Sequence, residues 1–284
     1  MPDLTGRRIL VTGASTGIGR AIAVDAAAKG AHVAINYPFD RERANAEETL
    51  RLVEHAAAMA PTLVRRDGTE APPVERDLPA GILLRGDVTK EAEVEALVAG
   101  SVEAFGRLDA LVNNAGIQIE EPASHETTVE HFDAVLDVNL RGAFIASREF
   151  LKHALGRPGG GSILNVSSVH QRIPRPFYLS YAVSKYGLNG LTETLALEYA
   201  DRGIRVNAIA PGATRTPIQS WLNDPAATAV VASHIPMKRI AEPEEIARLA
   251  SVLLSDDASY VTGHTLFADG GLTLFADFQE PWSG

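Results

Sequence analysis

Short apolar runs alternate with amphipathic stretches along most of the chain. The amphipathic stretches predict helices near residues 18–29, 41–59, 90–105, 128–155, 180–201 and 243–254. The apolar runs predict seven strands, at residues 7–13, 31–36, 81–87, 109–114, 161–168, 204–212 and 264–271. Uniformly apolar strands that alternate with helices are typical of a parallel sheet covered on both faces. The pattern therefore predicts an α/β fold, a single domain over residues 1–284 with a seven-stranded parallel sheet.

Two segments depart from this alternation. Residues 60–80 hold four prolines and an Asp67–Gly68 turn signal where a connection of about 2–6 residues is usual, so we expect a surface insertion within the domain. Residues 212–238 contain Pro217, Trp221 and Pro225, and we expect them to form a mobile lid over a substrate.

Charge and composition narrow the function classes. The formal net charge of −10 argues against nucleic acid or an anionic membrane surface as the main partner. The chain has no cysteine, which excludes disulfides, thiolate catalysis and cysteine-based metal sites, and we expect no metal. No apolar run is long enough to span a membrane, and the beginning MPDLTGRRILVTG lacks a signal-peptide pattern. A cytoplasmic protein is the expectation.

Glycines follow the first predicted strand, at positions 13, 17 and 19, and a helix begins there. Such a turn lets the backbone approach a pyrophosphate, and the helix N-terminus offers amide groups and a positive dipole end to the phosphates. The spacing is G-x-x-x-G-x-G, which differs from the common dinucleotide fingerprint. The pattern still predicts a Rossmann-type dinucleotide site.

Tyr181 and Lys185 are four residues apart in a predicted helix, so their side chains share one face. Taken alone, the pair has two interpretations. It is either a solvated surface pair, or a phenol held near a cation that favours loss of its proton.

Several motifs resemble those of the short-chain dehydrogenase/reductase family. They are TGASTGIG at 12–19, NNAG at 113–116, Asn139 in LDVNLRG, Ser168 with Tyr181-x-x-x-Lys185, and PGATRTP at 211–217. The resemblance covers nearly the whole chain outside residues 60–80. Within the family, SSVHQRIP, LTETLALEYADRGIRVNAIAPGATRTPI and ASYVTGHTLFADGG are most similar to bacterial glucose 1-dehydrogenases.

The resemblance implies a catalytic set of Asn139, Ser168, Tyr181 and Lys185. Tyr181 would be the general acid/base, with its pKa lowered by Lys185 and by the oxidised nicotinamide. Ser168 would orient the reacting alcohol or carbonyl, and Lys185 would also hold the nicotinamide ribose. Asn139 would bend its helix and hold a water that relays protons through Lys185.

The resemblance also implies the cofactor contacts. These are Gly13, Ser15, Thr16, Gly17, Ile18, Gly19, Asn36, Asp87, Val88, Asn114, Ala115, Gly116, Tyr181, Lys185, Pro211, Gly212, Thr214 and Thr216. Asp87 could equally belong to a helix start, since DVTKEAEVE follows it. The second strand has no carboxylate until Asp40, and Arg41 and Arg43 could reach a 2′-phosphate, so NAD or NADP, with dual use, is expected.

The expected substrate residues are Gln118, Ser168, His170, Tyr181 and Gln219, with Glu120 and Glu121 as further candidates. Their many hydrogen-bonding groups suit a sugar or polyol. The alternatives are a ketoreductase acting on a non-sugar carbonyl and a nucleotide-binding regulatory protein without turnover. The resemblance further implies a homotetramer, in which the helices near 128–155 and 180–201 pair across subunits.

Overall fold

A parallel β-sheet forms the centre of the computed structural model, which describes residues 2–60 and 77–274. Within those residues the sheet has seven strands in the order β3-β2-β1-β4-β5-β6-β7, every neighbouring pair parallel. The strands are β1 Arg8–Val11, β2 His32–Tyr37, β3 Gly81–Arg85, β4 Ala110–Asn113, β5 Gly161–Val166, β6 Ile204–Pro211 and β7 Thr265–Ala268. The predicted fold class is confirmed.

Helices cover both faces of the sheet. They are α1 Gly17–Ala27, α2 Arg43–Ala58, α3 Glu91–Phe105, α4 Val129–Leu136, α5 Gly142–Leu155, α6 Leu179–Tyr199, α7 Pro225–Ser233 and α8 Pro243–Leu254. One core joins the sheet to α1, α2 and α8, and a second joins its other face to α3, α5 and α6. Strand β1 shows why Ile9, Leu10 and Val11 are all apolar, since Ile9 and Val11 face the first core and Leu10 faces the second.

The helices differ from the prediction in two places. The single helix expected over residues 128–155 is divided by a π-helical turn, Asp137–Arg141, between α4 and α5. Helix α7 was not predicted and lies within the expected lid. Most of the expected insertion at 60–80, residues 61–76, lies outside the described residues.

The strand order reverses between β1 and β4, which follow each other in the sheet but not in the chain. In open α/β sheets, ligands bind in the crevice at the carboxyl ends of the strands at such a switch point. Residues 13–19, 113–116 and 167–171 all follow the carboxyl ends of central strands, so the fold brings the predicted motifs together. Across the described part of the chain, no helix is both long and apolar enough to cross a membrane.

Candidate active site

A cavity of about 900 Å³ opens at the carboxyl ends of the strands. Its wall combines the glycine-rich loop after β1, the loops after β4 and β5, the first turns of α6, and the segment after β6. The residues of the predicted catalytic, cofactor and substrate sets line this cavity except Gly19 and Asn139, and the further candidates Glu120 and Glu121 do not line it. The motifs singled out in the sequence therefore meet in one cavity.

At two positions of the first loop, neighbouring atoms lie so close to the backbone that only glycine fits. A Cβ at Gly13, whose φ is +61°, would lie 2.8 Å from the Cα of Ala115. A Cβ at Gly19 would lie 2.4 Å from the Asn114 Nδ2 atom and 2.6 Å from the Gly13 carbonyl oxygen. Gly19 thus allows the start of α1 to pack against the next loop, which explains its position behind the cavity wall.

Thr12 and Asn114 hold the two central loops together. The Thr12 Oγ1 atom accepts hydrogen bonds of 3.0 Å from the backbone amides of Asn114 and Ala115. The Asn114 side-chain amide donates to the carbonyl oxygens of Thr12 and Gly13, both at 2.9 Å. Thr12 was not among the predicted residues, because only the folded structure shows that its hydroxyl bridges two loops.

Asn36 shapes the cavity from the end of β2. Its Oδ1 atom accepts from the Gly13 amide at 3.1 Å, and its Nδ2 atom donates to the Gly86 carbonyl at 2.9 Å. The residue is only 1% exposed. Asn36 lines the cavity as predicted, but its polar groups join three neighbouring loops and so position the wall.

The loop and the start of α1 suit a dinucleotide. Thr16, the residue preceding α1, makes no side-chain hydrogen bond to the helix. The amide groups of the first turn therefore have no capping side chain from this residue, and a diphosphate is a suitable partner for them. The space that Gly13 keeps open beside Ala115 is a cradle that a side chain would fill. The described residues fit a nicotinamide dinucleotide.

The two ends of the cavity differ in charge. At the β2 and β3 end, Glu42 accepts a 3.3 Å hydrogen bond from the Ser15 hydroxyl, and Asp87 accepts from the Thr89 amide at 2.9 Å. Arg41 lies there with its guanidinium 4.8 Å from the centre of the Phe39 ring. At the other end, between β5 and α6, the wall carries Arg175 and Lys185.

Tyr181 and Lys185 lie one turn apart on α6, as predicted. The Lys185 Nζ atom is 5.5 Å from the centre of the Tyr181 ring and donates a 3.0 Å hydrogen bond to the Val166 carbonyl. Lys185 is only 4% exposed, so this pair is not a solvated surface pair.

Burial dominates the ionisation of this pair. Burial raises the pKa of Tyr181, and a hydrogen bond with Ser168 opposes the rise. Burial also lowers the pKa of Lys185 to about 8. In the protein without its cofactor, burial is thus the larger influence on Tyr181, and the expectation that Lys185 and the oxidised nicotinamide together lower its pKa stays a prediction.

Asn139 lies in the π-helical turn between α4 and α5. Its Oδ1 atom accepts from the Ile117 amide at 2.8 Å. Its Nδ2 atom donates to the Ile117 carbonyl at 2.9 Å and to the Ser184 hydroxyl at 3.1 Å. The side chain therefore fastens the loop after β4 to helix α6 and does not line the cavity.

His170 is held in one tautomer by its neighbours. Its Nδ1 atom lies 2.9 Å from the Ile173 carbonyl, and its ring meets the Tyr181 ring edge-on at 6.0 Å. A carbonyl can only accept, so Nδ1 carries the proton. Burial lowers the pKa of His170, which keeps the ring neutral and leaves Nε2 as a hydrogen-bond acceptor.

The segment after β6 closes the other side of the cavity. Gln219 accepts a 2.8 Å hydrogen bond from the Trp221 indole, just before α7. Ala227, Val230 and Val231 of α7 add apolar surface. The predicted polar residues Gln118 and Gln219 thus share the cavity with Ser168.

Glu121 has a different position from the one we expected. It is 4% exposed and does not line the cavity, so it is not a substrate residue. Its carboxylate accepts from the Ser180 amide at 2.9 Å and from the Thr127 hydroxyl at 3.4 Å. Glu121 therefore caps the first turn of α6 from a distant loop and fixes the start of the helix that carries Tyr181.

Comparison with known proteins identifies the family. Residues 49–273 match the family described as Enoyl-(Acyl carrier protein) reductase, and residues 7–75 match the one described as short chain dehydrogenase. The chain belongs to the short-chain dehydrogenase/reductase family. It is an NAD(P)-dependent oxidoreductase that acts on CH–OH groups.

Similar proteins are matched over nearly their whole length. A glucose 1-dehydrogenase of Gluconobacter oxydans is 45% identical, covering 98% of this chain and 96% of the relative. A 3beta-hydroxysteroid dehydrogenase 1 of Eggerthella lenta is 44% identical, covering 98% and 97%. The crystal structure of levodione reductase has a TM-score of 0.83 and 35% identity, covering 95% of this chain and 99% of that one. The prediction of a glucose 1-dehydrogenase-like member of the family is confirmed.

Proposed function

We propose that this oxidoreductase acts on a sugar or polyol, with oxidation of a secondary or anomeric alcohol as the measurable reaction. The observation that carries the proposal is the set of polar side chains beside Ser168 and Tyr181. Gln118, His170 and Gln219 line the same cavity and offer both donors and acceptors to hydroxyl groups. Two glucose 1-dehydrogenases among the similar proteins support this substrate class.

The predicted catalytic residues have separate tasks in the proposed reaction. Tyr181 takes the proton from the substrate hydroxyl, and Ser168, hydrogen-bonded to Tyr181, orients that hydroxyl. Lys185 provides a positive charge near the developing phenolate. Asn139 positions α6 through Ser184. When bound, the nicotinamide ring supplies the hydride acceptor or donor.

The cofactor residues support use of either NAD or NADP. Glu42, bonded to Ser15, could accept a ribose hydroxyl, whereas Arg41 could pair with a 2′-phosphate. Both residues line the β2 end of the cavity.

We further propose that residues 212–238 act as a lid. Helix α7 has no buried residue, although Ala227, Val230 and Val231 line the cavity. A helix with so little packing can move away from the site at low cost.

A ketoreductase of a non-sugar carbonyl is the second candidate. Apolar groups of Trp221, Val230 and Leu272 line the lid side of the cavity, where a steroid or cyclic ketone could pack. The likeness to a steroid dehydrogenase and to levodione reductase favours the same alternative.

A panel of aldoses and polyols, each paired with a deoxy analogue, tests the proposed substrate class. A polar group left unpaired in the site costs free energy, so each deoxy analogue should react about 5- to 150-fold less efficiently than its parent. The measurement is the rate at which the reduced cofactor forms. The sugar proposal fails if no aldose or polyol reacts while a hydrophobic ketone is reduced readily.

A further inference from the structure

Arg175 places a positive charge at the substrate end of the cavity, where no carboxylate of the described residues pairs with it. It lies between Ser168 and Tyr181 in the chain and lines the same cavity as both. Its guanidinium carbon lies 4.4 Å from the centre of the Tyr178 ring. Several other exposed arginines of the described residues have carboxylate partners, as Arg239 has Glu245 at 2.7 Å, whereas Arg41 and Arg172, like Arg175, lie against an aromatic ring.

In the part of the chain that the structure describes, the substrate end of the cavity has no compensating negative charge. Among the described residues that line the cavity, the carboxylates are Glu42 and Asp87, which lie at the β2 and β3 end. Glu121 is near the start of α6, but its carboxylate is bonded to the Ser180 amide behind the cavity wall. His170 stays neutral, because burial first, and then the charge of Arg175, lower its pKa.

We propose that the substrate is a polyhydroxylated carboxylate, such as an aldonate or a uronate, whose anionic group binds Arg175. The inference rests on the proposed function and narrows its substrate class. The net charge of −10 would repel an anionic substrate from the protein as a whole. The inference explains why Arg175 nevertheless places a positive charge in the substrate site.

The carboxylate end and the polyol end of such a substrate each have suitable partners in the cavity wall. A guanidinium group has a planar array of donors that binds a carboxylate with two parallel hydrogen bonds. The ring of Tyr178 supports the guanidinium in place by a cation–π contact. The polyol part would lie against Gln118 and the acceptor Nε2 of His170, next to Tyr181.

The test compares acidic and neutral substrates of the same carbon chain in the full-length enzyme with its cofactor. The pairs are D-glucuronate with D-glucose and D-gluconate with D-glucitol. In the wild type, kcat/KM for oxidation of the acid should exceed kcat/KM for oxidation of its neutral partner by about 10-fold. This is the effect of one charge-assisted hydrogen bond. Arg175→Gln should remove this preference, chiefly by raising KM for the acid, and should leave the neutral partner nearly unchanged.

Arg172→Gln is the matched control. Arg172 lies three residues earlier, stacks on the Phe267 ring at 5.5 Å and does not line the cavity. This variant should keep the preference for the acid. Calorimetric titration of D-gluconate into the cofactor-bound proteins gives a second readout, and binding should weaken in Arg175→Gln alone.

Two outcomes overturn the inference and are distinguishable. Equal acid-to-neutral ratios in the wild type and in Arg175→Gln contradict the inference, and oxidation of the neutral partners would then leave the proposed function in place. A complete lack of oxidation of acids and neutral partners contradicts the proposed function and, with it, the inference.

Discussion

The buried ammonium group of Lys185 makes one hydrogen bond within the described residues, to the Val166 carbonyl at 3.0 Å. Burial lowers its pKa from 10.5 to about 8, which means that the folded protein disfavours the charged form. A buried charge of this kind lowers the stability of the fold, but it can act on the reacting groups. Such a perturbed group in a cavity is typical of a functional site rather than of a stabilising contact.

The pKa of Lys185 predicts how stability depends on pH. Between about pH 8 and 10.5 the unfolded chain binds a proton that the folded chain has lost, so the free energy of unfolding rises with pH in this window. Below pH 8 the full cost of burying the charge is present. Relative to Lys185→Met, the wild type should therefore gain stability from pH 8 to 10, by on the order of 2–3 kcal/mol.

Denaturant unfolding of the two proteins at several pH values measures this difference. Tyr181 is present in both, so its own titration largely cancels. Lys90→Met, at an exposed lysine, should show no such pH-dependent difference from the wild type. The wild type and Lys185→Met differ in their free energy of unfolding. If this difference stays constant from pH 7 to 10, the assigned burial of the charge is contradicted.

At the scale of single residues, local motifs predicted which side chains line the cavity, but not what each one does. Gly13 and Lys185 are recognisable because their spacing along the chain has a direct physical meaning. The roles of Thr12, Asn36 and Glu121 depend on contacts with loops far away in sequence, and Glu121 meets Ser180 across 59 positions. One sequence does not show such long-range partners.

Helix α6 has an exposed apolar stripe in addition to its buried face. Val183, Tyr186 and Leu197 lie on this stripe, and Leu197 is 87% exposed. Gly190 lies between them, with open space where a side chain would be. Phe144 of α5 is 46% exposed as well. Large exposed apolar surfaces mark interaction sites, and we propose that α5 and α6 pair across subunits in a homotetramer.

Light scattering of the purified protein tests this assembly. The expected mass is four times the 30.2 kDa of one chain. Leu197→Glu places a charge in the proposed interface and should shift the protein to smaller species. Met59→Glu is the control, at an exposed methionine at the end of α2, and its mass should stay that of the wild type. A wild type that is monomeric at micromolar concentration would show that the stripe has another role.

At the scale of elements, periodicity predicted every strand within a few residues. It did not predict the π-helical turn at Asp137–Arg141, because the apolar pattern of 128–155 continues through it. The turn depends on Asn139, whose side chain binds the backbone of Ile117. Helix α7 was also missed, because the prolines of residues 212–238 indicated a mobile lid, although Asp224 caps the helix and Pro225 is its first residue.

At the scale of the whole molecule, the candidate active site lies where the strand order reverses, between β1 and β4. The β1 half of the sheet supplies the glycine-rich loop and Asn36, whereas the β4 and β5 half supplies Ser168 and helix α6. The cofactor and substrate residues therefore come from opposite halves and meet in one cavity of about 900 Å³. The fold class followed from strand–helix alternation alone, but the meeting of these halves depends on the strand order.

We propose that the assembled site oxidises a hydroxylated substrate with Tyr181 as the proton acceptor. The most direct measurement compares polyol oxidation by the wild type, Tyr181→Phe and Tyr186→Phe, with binding of the reduced cofactor measured by fluorescence in all three. Tyr186 is the matched control, since its hydroxyl donates to the Arg172 carbonyl at 3.1 Å and it lies outside the cavity wall. The account predicts that Tyr181→Phe loses at least about 100-fold in kcat, within the range of general-base catalysis, and still binds the cofactor, while Tyr186→Phe reacts like the wild type. Turnover by Tyr181→Phe within a few-fold of the wild type would contradict it.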